Sequence, residues 1–152
     1  MSNPYTGVAA IFSSRLLNGQ PPLIFEDGFQ SRDFTHVSDI VQANLLAMES
    51  EAANFQAINI GTGRATSVRQ IAELVASGLG VDIEPSIVGR FREGDIRHCF
   101  ADISRAQELL GFEPAVRLED GIPQLLEWVK CQQAQDGVVQ ATQELQMHGL
   151  VR

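Results

Sequence analysis

Phe55-Gln-Ala-Ile-Asn-Ile-Gly61-Thr-Gly63-Arg-Ala-Thr66 is the stretch on which the fold of this chain turns. Alternation through Ile60 predicts a strand, and the two glycines predict a tight turn. Ser67 with Gln70 forms a capping box, opening a helix that carries Val68, Ile71, Leu74 and Val75. A strand, a Gly-x-Gly turn and a helix, with Asp82 about 20 residues beyond Gly61, outline a dinucleotide-binding unit. Two features count against that reading: the third glycine position holds Thr66, and the helix starts at its own cap, Ser67. Such a unit also opens its domain, whereas this one lies in mid-chain. The segment is therefore read as a strand-to-helix turn and rejected as a dinucleotide site.

Working outward, Gly7 to Gly19 predicts a helix, with Val8, Ile11, Phe12 and Leu16 on one face and Asn18-Gly19 as its stop. Pro21-Pro22 forces extended backbone into a short strand, Leu23-Ile24-Phe25. Glu26-Asp27-Gly28 is a turn, and Arg32 to Val37 runs extended again. Ser38 is the expected cap of a helix from Asp39 to Glu49, with Ile40, Val41, Ala43, Leu46 and Ala47 on its apolar face. Beyond the central segment, residues 83–88 predict a strand and 89–98 a polar loop. Ser104 with Gln107 suggests a second capping box, on a short helix closed by Gly111. Helices are expected from Leu118 to Gln133 and from Val138 to Leu150. No internal repeat or linker interrupts 1–152, so the expectation is one mixed α/β domain.

The 152 residues carry a net charge of −8, which excludes a nucleic-acid surface. No apolar run approaches the about 20 residues that span a bilayer, and no secretory leader is present at the start, so a cytoplasmic protein without a membrane partner is expected. Cys99 and Cys131 read as reduced structural thiols. With His36, His98 and His148 equally scattered, no metal site is expected.

Ten of the 11 basic residues are arginine, whose flat fork suits bidentate phosphate contacts. Arg90-Phe-Arg92-Glu-Gly-Asp95-Ile-Arg97 places three in a glycine-containing loop with a carboxylate that can accept from sugar hydroxyls. The competing reading is a solvated run of mutually paired charges. Arg32, flanked by aromatics, is either an anion contact or a solvated hairpin residue. The start of the first helix, at Gly7 and Val8, offers amides and a positive dipole end, as every helix does. Catalytic chemistry is absent from the pattern: Tyr5 is the sole tyrosine and has no lysine four residues on. Asp27, Asp33 and Asp39 are better explained by turns and caps than by acid/base work.

Asn3-Pro-Tyr-Thr-Gly7-Val8, Pro22-Leu-Ile-Phe25, Gln30-Ser-Arg32-Asp33-Phe34, Asn59-Ile-Gly61-Thr-Gly63, Arg92-Glu-Gly-Asp95 and Leu109-Leu-Gly111-Phe112-Glu-Pro114 occur in a fixed order. That succession resembles the C-terminal half of the extended short-chain dehydrogenase/reductase family of NAD-dependent nucleotide-sugar epimerases and dehydratases. The opening motif and the closing Glu144-Leu…Gly149-Leu look most like dTDP-L-rhamnose 4-epimerase-type members. The resemblance implies an α/β substrate-binding domain with the Rossmann half absent. Arg32 and Arg92 would hold the pyrophosphate, Asp95 the ribose, Leu23 and Phe25 would border the base, and Gly7 and Val8 would offer amides to the phosphates. It also implies that the glycine-rich NAD loop and the Tyr-x-x-x-Lys pair lie upstream of Met1. NAD would serve the complete enzyme without binding this chain tightly, and this chain alone would be inactive. Exposed apolar faces left by the missing half predict a homo-oligomer. A 4,6-dehydratase-like enzyme, and a binding or assembly module completed by a separate NAD-binding chain, stay open as alternatives.

Overall fold

The structure, a computed structural model, describes residues 7–131 and 137–151. Asn3 to Thr6, Tyr5 included, and the expected end of a helix at Gln133 lie outside the described residues. The chain forms two compact units. One comprises the described residues of Met1–Gln30, Ser67–Arg97 and Ile122–Arg152; the other comprises Ser31–Thr66 and His98–Gly121.

In the first unit, α1 (Val8–Leu17) buries Phe12 and Leu16 and packs against α3 (Val68–Leu79), which buries Ile71, Ala72 and Val75. Its stop is a local device. Gly19 at φ 67° lets the Gln20 amide reach back to the Arg15 carbonyl at 2.9 Å and the Gly19 amide reach Leu16 at 3.0 Å. After β3 (Thr66–Ser67) the capping box of α3 forms in full, since Ser67 Oγ accepts the Gln70 amide while Gln70 Oε1 accepts the Ser67 amide. Strand β1 (Leu23–Ile24) pairs in parallel with β4 (Ser86–Ile87), Leu23 opposite Ser86 and Ile24 opposite Ile87. Of the expected 83–88 strand, Ser86 and Ile87 form β4. From α5 (Leu118–Lys130), Ile122, Leu126 and Val129 complete this core. Gly78 marks a close approach, because a Cβ there would sit 2.4 Å from Leu126 Cδ1. The last helix is α6 (Val138–Met147), none of whose residues is buried.

In the second unit, β2 (Ser31–Arg32) pairs in parallel with β5 (His98–Cys99). Helix α2 (Val37–Glu49) and α4 (Ser104–Leu110) enclose a small core of Ala43, Ala106, Leu110 and Phe112, with Leu46, Ile58, Ile60 and Ile103 packed around it. Two expected caps are corrected here. The N-cap of α2 is His36, not Ser38: its ring Nδ1 accepts the Ser38 amide at 3.3 Å. Ser104 is the first residue inside α4, and Asp102 Oδ1 accepts its amide at 3.0 Å and its hydroxyl at 2.7 Å, so no capping box with Gln107 forms. Helix α2 also presents a narrower apolar seam than its sequence suggests. Asp39 and Ala43 are buried and Leu46 is half-buried, while Ile40, Val41 and Ala47 are exposed. Asp39, with no exposed surface, accepts the Ala115 and Val116 amides at 3.2 Å each.

The expected strand from Phe55 to Ile60 does not form: Phe55 sits in a turn at φ 60°, and residues 56–60 join no ladder. Among the described residues, Ile58, Asn59 and Ile60 make no backbone hydrogen bond. The Ile58 and Ile60 side chains pack against the core, but no neighbouring strand among the described residues pairs with this backbone.

Candidate functional site

The β1–β4 pairing continues past both strands: the Val88 amide donates to Ile24 and the Glu26 amide to Arg90, at 3.0 and 2.7 Å. This lays the start of the arginine loop alongside Phe25. The chain then turns at Arg92-Glu-Gly-Asp95, with the Asp95 amide donating to the Arg92 carbonyl at 3.2 Å and Gly94 at φ 79°. That left-handed third position is one glycine adopts at little cost. With the turn closed, Arg92 Nη2 and Asp95 Oδ2 meet at 3.2 Å, and the guanidinium lies 5.5 Å from the centroid of the Phe25 ring. The Arg92 Nε is buried and makes no hydrogen bond. A buried donor of this kind is costly unless a partner reaches it.

The other arginines of the loop behave differently. Arg97 forks onto Glu26 at 2.5 Å and Asp27 at 2.7 Å, the paired-charge arrangement weighed as the competing reading. Its hydrogen bond, then the Phe29 amide, holds the exposed Asp27 carboxyl below its ordinary value. Arg90 is exposed and contributes its carbonyl to the ladder.

Of the remaining candidates, Leu23 is half-buried in β1, in the same unit as Phe25, Arg92 and Asp95. Gly7, also in that unit, caps α1 with φ −62° and ψ 144° and no side-chain acceptor. Val8 follows as the first helical residue. Arg32 belongs to the second unit, on β2 opposite Cys99, with Nη1 donating to the Ser31 carbonyl at 2.8 Å. The neighbouring Ser31 hydroxyl lies 2.9 Å from His98 Nδ1, so His98 has a partner inside the fold. The structure therefore brings Phe25, Arg92 and Asp95 into one cluster.

Gly61-Thr62-Gly63 is occupied by the protein itself. The Asp33 carboxylate accepts the Thr62 amide at 2.9 Å, the Thr62 hydroxyl at 2.5 Å, the Gly63 amide at 3.0 Å and the Ala101 amide at 3.2 Å. A Cβ at Gly61 would stand 2.5 Å from Asp33 Oδ2 and 2.6 Å from Ala101 Cβ, so this glycine admits a carboxylate of the chain. A phosphate cradle needs such amides free, and these are committed. The turn does not fit NAD. The role of Asp33 in this network was not visible in sequence beyond its assignment to turns, because its partners lie about 30 and 68 residues away.

Among the described residues no group of three or more His, Cys, Asp or Glu side chains could hold a metal ion. No described helix is long and apolar enough to cross a membrane. Cys99 and Cys131 are free and exposed, not packed as structural thiols. A cleft of about 440 Å³ lies in the second unit, lined by Ala57, Asn59, Asp102 and Arg105, with Arg105 Nη1 donating to the Ala57 carbonyl at 3.3 Å.

Residues 6–125 match the GDP-mannose 4,6 dehydratase family. The dTDP-L-rhamnose 4-epimerase of Burkholderia thailandensis is 35% identical over 129 residues, covering 85% of this chain and 35% of that protein. The crystal structure of a UDP-glucose 4-epimerase from Thermotoga maritima, determined with UDP-glucose, superposes with a TM-score of 0.76 at 43% identity. The alignment covers 85% of this chain and 41% of that one. A UDP-glucuronic acid 4-epimerase from Bacillus cereus, in complex with NAD, superposes with a TM-score of 0.70 at 27% identity, covering 82% and 39%. The chain thus spans about two fifths of the length of the proteins it resembles.

Proposed function

We propose a function for this chain from the premise that it belongs to the GDP-mannose 4,6 dehydratase family, within the extended short-chain dehydrogenases/reductases that act on nucleotide sugars. It is the nucleotide-sugar-binding part of an NAD-dependent nucleotide-sugar 4-epimerase, with a dTDP-sugar as its substrate and NAD held elsewhere in the complete enzyme. The observation that carries this reading is Arg92, whose buried Nε has no partner and whose guanidinium lies over Phe25. The accessible end of that guanidinium can take a diphosphate oxygen, and its fork geometry suits one. The Arg92–Asp95 pair is partly exposed, with side chains 39% and 30% accessible, so exchanging it for ligand contacts costs only about 0–1 kcal/mol. Asp95 is then released to accept from a ribose hydroxyl. Leu23 and Phe25 border the base, Gly7 and Val8 offer amides to the phosphates, and Arg32 is a second pyrophosphate ligand.

Calorimetric titration of the purified chain tests this. Saturable binding of dTDP, with thymidine binding far more weakly, is expected. Equal affinity for the two would remove the diphosphate from the recognition and sink the reading. Titration with UDP in parallel decides between the bases.

The chain alone is proposed to be inactive and self-associating. Val41, Leu45 and Met48 on α2 are 53%, 56% and 84% exposed, and among the described residues Ile58, Asn59 and Ile60 make no backbone hydrogen bond. Apolar surface of this kind together with unpaired backbone groups favours association. Light scattering is expected to give a mass that rises with concentration, and Leu45→Glu with Met48→Glu to lower it. A sharp monomer at micromolar concentration would contradict the proposal. The same unpaired segment also favours the second reading, a module completed by a separate NAD-binding chain, which co-purification with such a chain would support.

A further inference from the structure

We propose that the closing segment Leu150–Val151 is a positioning strap for the Arg92–Asp95 turn, tuning the affinity of the first unit for a nucleoside diphosphate. The proposal rests on the reading that this turn holds the diphosphate. After α6 the chain reverses at Gly149, at φ 68°. The Gly149 amide donates to Gln146 at 3.0 Å and the Leu150 amide to Leu145 at 2.9 Å, the paired bonds of a glycine-closed helix end. That reversal sends Leu150 and Val151 antiparallel to the arginine loop. Val151 is bridged to Arg92, and the Glu93 amide donates to the Leu150 carbonyl at 2.9 Å.

Glu93 is the second residue of the Arg92-Glu-Gly-Asp95 turn, so the strap grips the turn from outside while Arg92 and Asp95 close it from within. The remainder of α6 adds little hold, since none of its residues is buried. An element with so few buried contacts opens at low cost. The geometry therefore couples two states: strap engaged with the turn closed and Arg92 over Phe25, or strap released with the turn free to move. The Glu144-Leu…Gly149-Leu motif acquires a physical purpose in this scheme. It supplies the helix end and the left-handed glycine that aim the strap.

Two variants separate this from a loss of folding. One ends the chain at His148; the other, Gly149→Val, keeps every strap residue but opposes the left-handed conformation. If release leaves the competent turn populated about one fifth of the time, both weaken dTDP binding roughly fivefold. Thymidine affinity and the thermal midpoint are expected to stay unchanged. In the Arg92→Ala background, ending the chain at His148 should have almost no further effect, because the strap acts through Arg92. Amide hydrogen exchange at Glu93, in protein without ligand, should quicken by about tenfold or more in both variants. Unchanged exchange at Glu93, unchanged dTDP affinity, or an equal loss in the Arg92→Ala background would each overturn the proposal. If dTDP fails to bind the unaltered chain, the site reading falls and the affinity role with it; faster Glu93 exchange would then leave the strap as a structural contact only.

Discussion

Replacing Asp33 with alanine is expected to lower the unfolding free energy by about 2–4 kcal/mol, the range for stranding several donors that face one charged acceptor. The Thr62, Gly63 and Ala101 amides and the Thr62 hydroxyl all converge on this carboxylate. Denaturant titration would show the midpoint falling with little change in slope. An effect below about 0.5 kcal/mol, the ordinary size for a surface substitution, would mean the network is replaced by water. The same residue predicts a pH dependence. Burial alone raises the Asp33 carboxyl, but the Thr62 hydroxyl and the Thr62, Ala101 and Gly63 amides together outweigh it and hold the group below its ordinary value of 3.8. With the folded value depressed, its stabilisation is fully present above the unfolded value and is lost as pH falls through the folded one. Stability of the unaltered chain should thus decline below about pH 4, and Asp33→Asn should flatten that decline.

Arg92→Ala is expected to weaken dTDP binding by about 30- to 100-fold, the equivalent of losing one charge-assisted contact to phosphate at about 2–3 kcal/mol. Thymidine affinity should change little, and so should stability, since the Arg92–Asp95 pair is partly exposed. Arg92→Lys should recover only part of the loss, because a point charge cannot reproduce the fork or its stacking on Phe25. Arg97→Ala is the contrasting control: Arg97 is engaged by Glu26 and Asp27, and its loss should leave diphosphate affinity within about twofold. A fall with Arg97→Ala as large as with Arg92→Ala would mean the loop acts as a diffuse positive patch.

Much of the site was legible as composition and little of it as geometry. Three arginines between residues 90 and 97 announced an anion-binding loop, but nothing in their spacing said that Arg97 would be taken by acids about 70 residues earlier while Arg92 kept a donor unsatisfied. The same holds for Gly61-Thr62-Gly63. Its glycines were readable as a tight turn, whereas the reason for them, an Asp33 carboxylate packed against Gly61, lies across the fold.

What the amino-acid order determined alone are the features written within a few residues of each other. The capping box at Ser67 and Gln70, and the left-handed glycines that end α1, α3 and α4, depend on bonds spanning three to five positions. Tertiary structure decided whatever needs a distant partner. Phe55 to Ile60 alternates like a strand but forms none among the described residues, since a strand exists only when another backbone lies beside it. His36 displaced Ser38 as the cap of α2 with its ring lodged against Gly121, where a Cβ would stand 3.1 Å from His36 Cδ2. Local propensity proposes helix ends and turns; long-range hydrogen bonding and burial choose which charge is held and which is left to meet a ligand.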